Sequence, residues 1–168
     1  QNFDKKDTSE TTKSKPKPTI SSNYIYIQGK KYSSTPYYDF SYENNFASPS
    51  LMGTSKVAIA KNGNKGFIVL SIPLSGSKHH ITGPIRILLT DGTLITCVDR
   101  GIRDKVNMTS TAVYYLTESE INKLKKHNIL KIRYSVNEYD MGGVKKYEML
   151  NIKPTTFEKS GSANSISK

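Results

Sequence analysis

Residues Ala112–Val136, AVYYLTESEINKLKKHNILKIRYSV, read as a strand, a short capped helix and a second strand. Thr117 followed by Glu118, Ser119 and Glu120 fits a capping box. The threonine hydroxyl accepts an orphan amide proton of the first turn while Glu120 reaches back to the cap. Glu118 and Glu120 suit the positive end of the helix dipole, and Lys123, Lys125, Lys126 and His127 suit the negative end. Asn128 is a residue that tolerates the left-handed conformation with which many helices stop. Ile121 and Leu124 supply one apolar stripe, so the helix, at about 118–127, is expected to lie on a surface. Beyond it, Leu130, Ile132, Tyr134 and Val136 alternate with Lys131, Arg133 and Ser135, the two-residue period of a strand with one wet face.

Working outward, Ile85–Leu89 and Leu94–Val98 flank Thr90-Asp91-Gly92-Thr93, and Asp-Gly is the favoured pair of a type I′ hairpin turn. That turn sets Leu89 opposite Leu94, Ile87 opposite Thr96 and Ile85 opposite Val98, six residues expected on the core face. The other face then carries Leu88 with Ile95 and Arg86 with Cys97. Asp99–Ser110 reads as a polar connection. Lys56–Ala60 and Gly66–Leu74 read as strands joined through Asn62-Gly63, with Pro73 at a strand end or on an edge. Val144–Ile152 is expected to pair with Leu130–Val136 through a loop containing Gly142-Gly143. Its uneven alternation, Tyr147 and Met149 against Leu150 and Ile152, calls for a bulge.

Upstream, Tyr24-Ile25-Tyr26-Ile27 alternates and should form a first strand that turns at Gln28-Gly29. The next twenty residues read as an irregular segment rich in rings: Tyr32, Tyr37, Tyr38, Phe40, Tyr42 and Phe46. Segments of that length either pack or bind. The rings are therefore a candidate contact surface, or else a secondary core lying over the sheet. Residues 1–22, with Lys15-Pro16-Lys17-Pro18, read as a flexible leader and residues 155–168 as a flexible tail, leaving one domain over 23–154. Seven or eight short strands with one surface helix make the chain mainly β, an antiparallel β-sandwich, with immunoglobulin-like topology the leading single expectation.

Twenty-five basic and fourteen acidic side chains in 168 residues give a formal charge of +11 and a pI near 9.6. Such a balance favours acidic partners unless the lysines are merely spread over the surface. A single cysteine excludes an intramolecular disulfide, and no Cys/His group has zinc spacing. No apolar run reaches the length of a membrane span. Gln1 at the start, with a polar segment behind it, is what a processed secretory N-terminus looks like, so a secreted, periplasmic or outer-membrane-associated location is expected.

The chemistry-bearing residues are few. Asp99-Arg100-Gly101-Ile102-Arg103-Asp104 could bring two carboxylates together for acid–base work, but the arginines can equally hold them as a structural loop. Adjacent His79 and His80 point to opposite faces of a strand, and no acidic or sulfur ligand nearby completes a metal site, which favours solvent-exposed histidines. Cys97 has Arg86 beside it in the expected register, and an arginine cannot take a thiol proton, so a structural cysteine is expected. There is no G-x-S-x-G elbow, Walker A loop or dinucleotide fingerprint. No catalytic residue, metal or cofactor is assigned from the sequence.

The segments ILLTDGTLITCVDRG and STAVYYLTESEINKLKKHNILKIRYSV resemble, in pattern and style, small secreted β-rich proteins of the Bacteroidota cell envelope. The resemblance implies an envelope location more than an activity. The resulting expectation is a non-enzymatic binding module, an accessory subunit of an envelope assembly, with Tyr32–Phe46 as its contact surface. The alternative is a polyanion- or glycan-binding protein that uses a basic, tyrosine-rich surface. A hydrolase built on Asp99 and Asp104 ranks third, and nucleic acid is not an expected partner.

Overall fold

The computed structural model describes residues 23–42, 51, 54–140 and 142–151. The expected leader and tail, Phe46 and Ile152 lie outside the described residues. In chain order the strands are β1 (Asn23–Ile27), β2 (Lys30–Ser34), β3 (Tyr38–Tyr42), β4 (Ser55–Asn62), β5 (Lys65–Pro73) and β6 (His80–Leu89). There follow β7 (Leu94–Cys97), β8 (Arg103–Val106), β9 (Thr109–Leu116), the helix α1 (Glu118–Lys126), β10 (Ile129–Glu138) and β11 (Gly143–Leu150). The protein is mainly β, and every pairing among these strands is antiparallel.

One hydrogen-bonded path runs β7-β6-β10-β11-β3-β4-β5-β9-β8, with β2 also on β4 and β1 on β2. The sheet is not closed. Its halves, β7-β6-β10-β11 and β3-β4-β5-β9-β8, share one core. Phe40, Ile68, Leu70, Tyr114 and Leu116 from the second half meet Ile85, Ile87, Leu89, Ile132, Tyr134 and Met149 from the first. This arrangement is compatible with a β-sandwich, but the strand order is not the immunoglobulin one. An immunoglobulin domain splits its strands between two sheets, whereas here β3 and β11 join the halves into one ladder through Met149↔Tyr42 and Leu150↔Ser41.

The opening stretch folds largely as read. Thr117 caps α1: its hydroxyl accepts from the Glu120 amide at 3.2 Å, and the Glu120 carboxylate accepts from the Thr117 amide at 2.8 Å. The helix carries the chain from β9 in one half to β10 in the other and buries Leu124 in the shared core. Ile121 packs onto Gly66, where a Cβ would lie 2.4 Å from the isoleucine tip, so a larger residue there would make the Ile121 side chain shift. The helix stop differs from expectation. Asn128 is not left-handed; the chain leaves through an extended His127, whose amide donates to the Lys123 carbonyl at 3.1 Å.

The β6–β7 hairpin is displaced by one residue from the expected register. Leu88 faces Leu94, Ile87 faces Ile95, Arg86 faces Thr96 and Ile85 faces Cys97. The cause is the loop. The Gly92 amide donates to the Leu89 carbonyl, Gly92 has φ 88°, and the Leu89 amide donates to Thr93. This is a three-residue turn with a G1 bulge, not a two-residue I′ turn. A one-residue shift turns every side chain of the second strand over. Ile95 and Cys97 therefore enter the core, while Leu94 and Val98 are exposed and Thr96 faces water.

Two further expectations change. The β10–β11 register is unbroken from Lys131↔Leu150 to Glu138↔Gly143, so β11 needs no bulge. The irregularities fall between β10 and β6 instead. The polar connection Asp99–Ser110 contains β8, which forms a hairpin with β9 through left-handed Asn107 and Met108.

A second layer lies outside the β4 half. Gln28 and Gly29 both have positive φ, 51° and 74°, which makes the β1–β2 connection a type I′ turn. The hairpin folds over the sheet and sets Ile25, Ile27 and Tyr32 on Ala58, Ala60, Phe67, Val69 and Val113. Its tip is tied to the β8 edge. The Gln28 amide donates to Asp104 at 3.1 Å, and its side-chain amide donates to the Arg103 carbonyl at 3.0 Å.

Candidate functional site

Most of the described rings of this segment pack into the two cores and are not available as a contact surface. Tyr38–Tyr42 is strand, not loop, because Tyr38, Phe40 and Tyr42 keep a two-residue period that sends all three to the shared core. Phe40 is 0% and Tyr38 7% exposed. Tyr32, 2% exposed, faces the second layer and meets Phe67 edge-on with centroids 5.2 Å apart. Tyr42 bonds through its hydroxyl to Ser55 and Tyr134, and burial raises its pKa above the usual phenol value. Among the described members Tyr37 is exposed and Tyr42 is half-buried.

The other candidates are structural. Asp99 receives Arg103 Nη2 at 2.6 and 2.5 Å, the Gly101 amide at 2.8 Å and the Gly83 amide at 2.8 Å. These donors hold its carboxyl below the usual range against the opposing effect of burial. Asp104 accepts from Gln28 and Lys105 amides. Both carboxylates are committed to holding loops together. His79 is buried, not exposed as expected. Its ring lies against Gly76, and neither ring nitrogen has a hydrogen-bond partner among the described residues. His80 points away from it, toward Tyr139. Cys97 is in the core, its thiol pushed up to about 12 by burial, and the shifted register leaves Arg86 on the opposite face. Among the described residues no three His, Cys, Asp or Glu side chains gather as a metal site.

A depression beside α1 is lined by Asp91, Glu118, Ser119, Asn122, Lys123, Lys126 and His127. It is the joint where the β6–β7 turn docks on the helix end. His127 stands 3.3 Å from Asp91, and the Thr90 amide donates to Asn128. Two carboxylates, Asp91 and Glu118, face two ammonium groups, Lys123 and Lys126, so the depression offers no net field.

The outer face of the β10 half is different. Cross-strand register places its side chains in rows running β7, β6, β10, β11: Leu94, Leu88, Lys131, Leu150, then Thr96, Arg86, Arg133, Glu148. A third row holds Thr82, Ser135 and Lys146. Like charges directly opposite on neighbouring strands are destabilising, yet Arg86 stands opposite Arg133. Glu148 is the single carboxylate in these rows. It accepts from Lys131 Nζ at 3.0 Å and from Arg133 Nη2 at 2.9 Å and Nε at 3.2 Å. Those bonds, Lys131 first, hold its carboxyl below the ordinary glutamate range. Arg86 is left exposed with no acidic partner among the described residues. Four cations against one anion make this a basic platform bordered by leucine side chains.

Sequence reasoning missed this site. Arg86 and Arg133 lie on strands far apart in the chain, and each by itself reads as the polar member of an alternating strand. No family model, curated protein or solved structure matches the chain. The functional reading therefore rests on this geometry.

Proposed function

We propose that the chain is a binding module for an acidic polymer, held on the outer face of the β10 half. The observation that carries this reading is Arg86, without an acidic partner among the described residues, opposite Arg133, whose carboxylate partner Glu148 is shared with Lys131. Arg86 keeps its donor fork uncommitted, the group that grips a carboxylate, sulfate or phosphate with two bonds, while Arg133, its Nε and Nη2 on Glu148, adds positive charge one strand spacing away. Lys131 and Lys146 extend the positive field along β10 and β11. Leu88, Leu94 and Leu150 offer apolar surface to the less polar parts of the same polymer. An anion over the pair relieves the repulsion that the empty face carries, which gives binding a favourable electrostatic term. An envelope setting, expected from the sequence, supplies such polymers.

The test uses heparin and polyphosphate as probes. Binding should weaken steeply with added salt. Arg86→Glu should lower affinity by roughly tenfold or more, the scale of one lost charge-assisted contact. Lys65→Glu, the same charge change at the start of β5, should leave affinity nearly unaltered. Equal losses for the two variants would show that net charge alone attracts the polymer, and salt-insensitive binding would sink the proposal.

A further inference from the structure

Among the described residues β1 pairs with β2 alone, which leaves its other edge open. An edge strand exposes unpaired backbone donors and acceptors, and proteins usually blunt it with charges, proline or a bulge. The edge at β8 follows that rule, with Arg103, Asp104 and Lys105 in four residues. β1 does not. Its sequence is Asn-Tyr-Ile-Tyr-Ile, without charge or proline, and its register with β2 is regular from end to end.

The turn decides which backbone groups are free. In a hairpin closed by a two-residue turn, the flanking pair, here Ile27↔Lys30, exchanges both hydrogen bonds, and bonded pairs then alternate. Ile25↔Tyr32 and Asn23↔Ser34 are therefore bonded. Tyr24 and Tyr26 turn their N–H and C=O groups to the open side. Their side chains are exposed as well, 47% and 63%, with the Lys31 ammonium 3.8 Å from the centre of the Tyr24 ring.

We infer that β1 pairs with β1 of a second copy, antiparallel, about a two-fold axis through Ile25. In that register Tyr24 faces Tyr26 of the other copy and Tyr26 faces its Tyr24. Both are bonded pairs in the antiparallel pattern, with Ile25 against Ile25 as the non-bonded pair between them. The residues whose backbone is free are thus the ones this register requires, and four hydrogen bonds form. The outer face gains two cross-strand tyrosine pairs, a favourable combination, and the inner face joins isoleucine to isoleucine. The contact is isologous and closes at two copies, because among the described residues β1 is paired on one side only, by β2. The strands that meet are uncharged, so the repulsion between two chains of +11 acts at longer range and is screened by salt. Five residues a side and four partly exposed tyrosines place the interface below the roughly 1,200 Å² of stable complexes, so the dimer is weak and depends on concentration.

Sedimentation of the full chain from micromolar to submillimolar concentration tests this. A dimer that strengthens with salt is expected, opposite in sign to polymer binding, so the two readings fail independently. Tyr26→Pro removes a donor that points away from β2 and leaves the hairpin bonds intact. It should weaken dimerisation by about tenfold or more while thermal stability holds. Should that variant misfold, Tyr24→Lys, which sets a charge into each cross-strand pair, decides instead. A chain that stays monomeric at every concentration overturns the inference and leaves the edge to a foreign strand. A dimer indifferent to both substitutions overturns it as well.

Discussion

The two outer faces of this sheet were built by the same alternation and ended differently. Outside the β4 half, Ala58, Phe67, Val69 and Val113 are nearly inaccessible because the β1–β2 hairpin lies on them. Outside the β10 half, Arg86, Arg133 and Thr96 stand in water. The covered face comes from strands apolar on both sides, as in Phe67-Ile68-Val69-Leu70, which must be buried twice. The bare face comes from Lys131-Ile132-Arg133-Tyr134, apolar on one side only. The chain thus covers one face with its own hairpin, while the described residues leave the other in solvent.

The largest effect should come from breaking what both halves share. Leu124→Asp places a charge in the common core and should abolish folding, read as loss of the cooperative thermal transition; a folded variant with lost binding would make α1 an interface. Phe67→Ala strikes only the covered face. It should cost about 3–5 kcal/mol in urea unfolding while polymer affinity of the folded protein stays unchanged. Arg86→Glu should do the reverse, keeping or raising stability as it removes the opposed pair while weakening the polymer. Thr117→Ala, which touches neither face, should cost about 1 kcal/mol of stability and nothing in binding.

The smallest effect is pH dependence. Glu148 is held below the ordinary glutamate value, so its contribution to stability is present above that value, about 4.3, and is lost as pH falls through the lower folded one. The side chain is partly exposed, and solvent screening keeps the contribution small. Protonation also removes the carboxylate from the bare face, so binding to a sulfated polymer, which stays ionised, should tighten over the same window. Glu148→Gln should flatten both profiles.

What the sequence revealed was mostly local. The capping box is four consecutive residues and could be read directly. The hairpin was found but misregistered, because Asp91-Gly92 suits both a two-residue turn and a three-residue turn with a bulge, and both Leu88 and Leu89 are apolar. The segment Tyr38-Asp39-Phe40-Ser41-Tyr42 carries a clear two-residue period that its density of rings obscured. The basic platform could not be read at all. It exists only because β6 and β10 become neighbours, and nothing local to either strand says so.

The β3–β11 junction has a further consequence, in time and not in space. Most ladders join hairpin neighbours, which close quickly. Met149↔Tyr42 joins the third strand to the last, and loop-closure entropy delays contacts of that kind. The seam that makes one sheet of two halves should therefore form late in folding. The hydroxyl link from Ser55 through Tyr42 to Tyr134 should lock only when the halves have already met. Substituting Tyr42 by Phe should accordingly speed unfolding far more than it slows folding.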